Sequence, residues 1–203
     1  MRYFGIKTSL KSVLSFAAVF GLMASGLSGC RSAQEAFAIG EAAEKNPGPC
    51  PEAFALYDTA RLVEFHGSES YSNVGFTAEI NKVRSLCRYY GDRPINADLS
   101  LEISFGRGPA AVGRTATYEY YVAVTRKNIE VIEKSVFPIT ITFPEGVDVV
   151  DVTESVAEII IPRASETTSG GNFEIIVGFE LTPAQVAFNS DGKRFRVSAG
   201  QED

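Results

Sequence analysis

The chain has 203 residues, room for one or two domains, and 45% of them are hydrophobic against 22% charged, a balance that can fill a core. Its net charge is −6, from 19 basic and 25 acidic residues. A phosphate backbone or an anionic lipid surface demands a basic footprint, so the composition argues against nucleic-acid binding and against flat docking on anionic membrane.

The first eleven residues carry Arg2, Lys7 and Lys11 and no acid, and Val13 to Leu27 is mostly apolar and ends among small residues. That order of charge, apolar run and small residues predicts a secretory signal over 1–29. A transmembrane helix fits less well, because the run falls short of about 20 apolar residues and Gly21, Ser25, Gly26, Ser28 and Gly29 break it. Removing 1–29 takes the net charge from −6 to −9. The tetrapeptide Leu27-Ser28-Gly29-Cys30 resembles the lipobox of bacterial lipoprotein precursors. The resemblance implies that the Cys30 thiol is alkylated with a diacylglycerol, that the bond before it is cut, and that the new N-terminus is acylated. One acyl chain binds a membrane marginally and two or three hold it stably, at about 0.8 kcal/mol per buried CH₂. In that family an Asp after the Cys favours inner-membrane retention. Arg31 stands there instead, so the resemblance implies the outer membrane, facing the periplasm, with the periplasmic face of the inner membrane as the alternative.

Residues 30–49 read as the lipidated Cys and a tether. Their first part is Ala- and Glu-rich, and they end in the breaker cluster Asn46-Pro47-Gly48-Pro49. The competing reading packs this segment on the domain as a helix. With Cys30 lipidated, Cys50 and Cys87 remain, and an even remainder in an exported chain predicts one disulfide. It would clamp the domain start, beside Pro49 and Pro51, to a strand through Leu86-Cys87-Arg88. A metal reading of this pair is poor, because the single histidine cannot complete a site.

From Ala60 onward the period is two. Phe76, Ala78 and Ile80 alternate with polar neighbours, as do Leu99, Leu101, Ile103 and Phe105, then Phe137, Ile139, Ile141 and Phe143, then Phe173, Ile175, Val177, Phe179 and Leu181. Tyr118, Tyr120, Val122 and Val124 form another row, with Tyr121 and Ala123 making the second face semi-apolar, which predicts a central or partly covered strand. Gly91-Asp92-Arg93-Pro94, Gly106-Arg107-Gly108-Pro109 and Pro144-Glu145-Gly146 punctuate these runs. About seven or eight strands in one body, 50–203, predict an all-β fold: an antiparallel two-sheet sandwich, immunoglobulin- or fibronectin type III-like, with a small β-barrel as the alternative. Pro138 should sit on an edge strand or at a bulge, since it donates no ladder bond. Leu181 to Asp191 predicts a single short helical turn, capped by Thr182 with Pro183 at its first position. The stretches "ARLVEF", "CRY", "YYVAV", "VFPITITFP" and "EIIVGFELTPAQVAFN" are similar to a set of uncharacterised Gram-negative envelope lipoproteins, which lends no activity.

Candidate chemistry is sparse. His66 would be needed for a Ser-His-acid triad, and a strand-end surface residue is the favoured reading. "FGRGPAAVGR", Phe105 to Arg114, lacks the Lys-Ser/Thr ending of a phosphate loop and reads as a strand connection. Glu145, Asp148, Asp151 and Glu154 are spaced for a solvated face rather than a calcium loop. The tyrosines Tyr71, Tyr89, Tyr90, Tyr118, Tyr120 and Tyr121 read first as sheet-stabilising and second as contacts for a sugar or protein. No catalytic residue, cofactor or metal ligand is assigned. The expectation is an outer-membrane-anchored periplasmic lipoprotein, bound to the membrane through lipid on Cys30, with a non-catalytic binding or envelope-assembly role toward an envelope protein or peptidoglycan. The alternatives are a carrier of a small apolar ligand and a carboxylate-based glycan-cleaving enzyme.

Overall fold

The computed structural model describes residues 46–195. The signal over 1–29, Cys30, and the tether as far as residue 45 lie outside the described residues. In chain order the strands are β1 (Glu52–Ala55), β2 (Arg61–Phe65), β3 (Val74–Arg88), β4 (Ile95–Arg107), β5 (Thr115–Arg126), β6 (Glu130–Thr142), β7 (Val149–Ile161) and β8 (Phe173–Phe179), followed by a helix, α1 (Pro183–Ser190). They form two four-stranded sheets, ordered β1-β8-β5-β6 and β2-β3-β4-β7. The body is a two-sheet sandwich and not a closed barrel. Every neighbouring pair is antiparallel except β1, which runs parallel to β8.

The alternating rows decide which faces meet. Leu99, Leu101, Ile103 and Phe105 of β4 pack with Ile175, Val177 and Phe179 of β8 and with Tyr120, Val122 and Val124 of β5 in one buried cluster. Fully burying an aliphatic or aromatic side chain contributes about 1.5–3 kcal/mol, so these rows are what fix the register of each strand. β5 is central, flanked by β8 and β6, as its two semi-apolar faces predict. Its outward Tyr121 is covered by Thr59, whose hydroxyl lies 2.9 Å from the Tyr121 hydroxyl, and by the Lys134 ammonium, 4.5 Å from the ring centre. Gly178 stands opposite Tyr121 and leaves the room for this, because a Cβ there would meet Thr59 Oγ1 at 2.0 Å.

The end of the body where the described chain begins is bolted to β3. The Cys50 and Cys87 sulfurs lie 1.98 Å apart, a disulfide. The Asn46 side chain donates to the Cys87 carbonyl (3.1 Å) and accepts from the Tyr89 N–H (2.9 Å), so the described body is already engaged four residues before Cys50. Tyr89 is fully buried; its hydroxyl donates to the Pro49 carbonyl (2.8 Å) and accepts from the Gly170 N–H (3.1 Å). The Arg163 guanidinium lies over its ring at 4.8 Å and donates to the carbonyls of Gly91, Arg93, Thr168 and Glu166. One arginine thus gathers the β3–β4 and β7–β8 connections.

Candidate functional site

A sheet edge presents unpaired N–H and C=O groups, and proteins hide such edges. The sandwich hides them on one side only. There the edge strands are short, four residues in β1 and five in β2. Helix α1 lies along β2 and satisfies outer carbonyls of the strand and of the turn before it: Gln185 Nε2 donates to Val63 O (3.1 Å), and Asn189 Nδ2 donates to Arg61 O and to Asp58 O of that turn (2.8 Å each). The helix is set by a capping box between Thr182 and Gln185, with Pro183 in its first turn. It runs eight residues, two turns rather than the single turn expected, because Phe188 is buried against Val63 and Val74.

On the opposite side the sheets end in β6 and β7, each 13 residues long. Among the described residues, β6 pairs only with β5 and β7 only with β4. Both belong to one opening, a cleft of about 290 Å³ with Val122, Phe137 and Val156 among its walls and Glu133 and Glu158 at its sides. The devices that keep these edges from sticking are local. Pro138 lies on β6, opposite Glu119, where it forfeits no bond to a second neighbour. β7 carries a bulge, with Ala157 and Glu158 set against Asp98 alone between the pairs Ala97–Ile159 and Leu99–Val156. Glu158 takes φ 59°, a left-handed conformation uncommon for glutamate, and its N–H donates to Asp98 Oδ1 at 3.1 Å.

Acid lies on the inner faces as well. Glu154 is the cross-strand partner of buried Leu101, and Glu133 of buried Val124, so both share the core-facing side of their strands at its open rim. Burial, and secondarily the Glu154 carboxylate, push Tyr120 up to about 12. The Tyr120 ring stacks on Phe137, a wall of the cleft, with centroids 5.4 Å apart.

The remaining sequence candidates are dispersed. His66 follows β2 and is exposed, with Nε2 3.2 Å from Glu64 Oε1. The other Glu64 oxygen accepts from the Tyr118 hydroxyl (2.7 Å), and burial followed by that contact holds Tyr118 protonated far above the usual tyrosine range. Ser70 is engaged with Ser72 and Ser68 with Asn73, so the structure assembles no triad around His66. Of the acidic run, Asp148 pairs with Arg107 (3.6 Å), Asp151 accepts from Ser104 on the outer face, and Glu154 turns inward, so the four carboxylates do not converge. In the glycine-rich connection, Gly108 N–H donates to Gly75 O (2.6 Å) and Ala110 N–H to Val74 O (2.9 Å). A Cβ on Gly108 would meet Val74 O at 2.3 Å: this loop is sewn to β3 and its amides are spent there rather than on a phosphate. Tyr89, Tyr120 and Tyr121 are buried structural residues, while Tyr71 is half exposed.

Sequence reasoning missed Glu133, Glu158 and β7 as an edge. The signal in "VVDVTESVAEIII" is an alternation of Val150, Val152 and Val156 with Asp151, Thr153 and Ser155, hidden because Glu154 occupies an inward position. Comparison with protein-family models, curated proteins and solved structures returned no match.

Proposed function

We propose that the protein is a lipoprotein held in the outer membrane through Cys30, facing the periplasm, whose sandwich serves as a non-catalytic binding or assembly module for an envelope partner. The lipobox-like Leu27-Ser28-Gly29-Cys30 supports the anchor. The observation that carries the binding role is the asymmetry of the sandwich: two short edges, one of them sealed by a helix, on one side and two 13-residue edges around a cleft on the other. A free edge of that length is a template for strand addition, in which main-chain bonds give affinity and alternate side-chain positions give selectivity.

Photocross-linking in intact cells tests this. A benzophenone side chain at Val136 on β6 or Thr153 on β7 should give a discrete adduct, and one at Ala187 on α1 should not. Equal yields at all three positions, or none at any, would refute the role. The glycan-cleaving alternative keeps one observation, that Glu133 and Glu158 come from facing strands to one cleft. It requires Glu133→Gln and Glu158→Gln each to abolish any peptidoglycan turnover by the purified protein. The binding role requires that neither changes it.

A further inference from the structure

The open side has a chemical character that narrows what can dock there. On β7 the charged residues are Asp151, Glu154 and Glu158, all acidic. On β6 they are Glu130, Glu133 and Lys134. Lys134 is turned away onto the outer face of its sheet, where it pairs with Glu180 and covers Tyr121. The rim therefore presents carboxylates of both strands around an apolar floor.

The two edges differ in regularity. β6 is interrupted by Pro138 and, near its start, by a register shift opposite Val124 and Thr125. β7 is regular from Val149 to Val156 and is broken only beyond it, by the bulge at Ala157 and Glu158. Over that strip its inner-facing residues are Val150, Val152, Glu154 and Val156, and its outer-facing ones are Val149, Asp151, Thr153 and Ser155.

We propose that the β7 edge over Val149–Val156 is a docking strip for an extended segment of alternating apolar and basic side chains, added as a fifth strand to the sheet β2-β3-β4-β7. This rests on the binding role proposed above and names the chemistry of the occupant. Main-chain bonds to the unpaired edge supply register. The apolar side chains cover the open seam between the sheets. With the apolar row over the seam, strand alternation sets the basic row on the outer face, where it answers Asp151 and like charge would be repelled; Glu154 at the inner rim adds its negative field at longer range. A second copy of the chain is a poorer occupant, because the charged residues of β7 are all acidic and its own copy would bring no basic side chain to the strip.

The experiment uses the full chain, solubilised in neutral detergent, and three sets of eight-residue peptides: alternating Val and Lys, alternating Val and Glu, and the Val/Lys peptide N-methylated at every second amide in either register. Fluorescence anisotropy should show the Val/Lys peptide binding at least tenfold more tightly than the Val/Glu peptide and weakening as salt is raised. Methylation in one register should abolish binding and in the other should be tolerated. Replacing Asp151 and Glu154 together by Lys should invert the preference between the peptides, with an unchanged far-ultraviolet spectrum showing that the body still folds. Equal binding of the Val/Lys and Val/Glu peptides, equal effects of the two methylation registers, or dimerisation of the unliganded chain through β7 would overturn the proposal. If the peptides fail while Thr153 still cross-links in cells, the occupant chemistry is wrong and the binding role stands. If both fail, both fall.

Discussion

Replacing Tyr89 by Phe removes one oxygen and leaves the ring, its burial and its contact with Arg163 in place. The lost hydroxyl is the shared partner of the Pro49 carbonyl and the Gly170 N–H. Tyr89 is 1% exposed, so water reaches neither group without local opening. A buried polar group left without a partner costs about 1–3 kcal/mol. Two such groups, with some relief from movement of the Ser169–Gly171 turn, give a destabilisation of about 2–4 kcal/mol. With a urea m-value of about 2 kcal/mol/M, the midpoint should fall by roughly 1–2 M at unchanged slope. The melting temperature should fall by about 2–4 °C for each kcal/mol in a domain of this size. Equilibrium unfolding of the full chain by tyrosine fluorescence and circular dichroism measures both, with Tyr71→Phe at a half-exposed position as the control. A midpoint shift below about 0.3 M for Tyr89→Phe would show that this hydroxyl does not bridge the two segments.

Reducing the Cys50–Cys87 disulfide, or replacing both cysteines by Ser, frees a closed loop of about 38 residues and should lower stability by up to about 4 kcal/mol; non-reducing electrophoresis and urea melts with and without reductant check it. Asn189→Ala leaves the carbonyls of Asp58 and Arg61 without their side-chain donor and should cost about 1–3 kcal/mol, read in the same melts, whereas Ser190→Ala at an exposed position should be neutral. Tyr120 titrates near 12 in the folded chain against about 10 when unfolded, so the unfolded state releases this proton first as pH rises. Stability tied to this group is therefore whole below pH 10 and is lost between pH 10 and 12; the difference in unfolding free energy between wild type and Tyr120→Phe should shrink across that window, and a constant difference would contradict it.

The rows of alternating apolar residues made β3, β4, β5, β6 and β8 legible, because a sandwich buries every second side chain and the sequence records that directly. Pro138 announced an edge for the same kind of reason, having no N–H to give. The capped helix was legible in Thr182 and Pro183, but its second turn depends on where Phe188 lands, which is a tertiary fact. The open side was not legible. An edge strand is defined by the neighbour it lacks, and strand order is set by which faces and hairpins pack, not by any residue of β7. Glu154 worked against detection as well: an inward carboxylate breaks the pattern that marks a strand, and it is tolerated only because that position lies at a rim. The bulge at Glu158 has no sequence signature of the kind a glycine would give. Its conformation becomes intelligible only once Asp98, 60 residues earlier, is seen accepting from its N–H.

The crosslink at Cys87 also determines how the body would carry load. Tension applied from the N-terminal side enters at Cys50 and crosses through the disulfide into β3 near its end, bypassing β1. β1 is held to β8 over only four residue pairs, which an axial pull would test first. β3 is fifteen residues long, bonded to β4 from Phe76 to Arg88 and to β2 over Val74–Glu79. Force along it is shared as shear among many bonds at once, so the oxidised body resists from its best-supported strand, while a reduced one would begin to give way at its shortest.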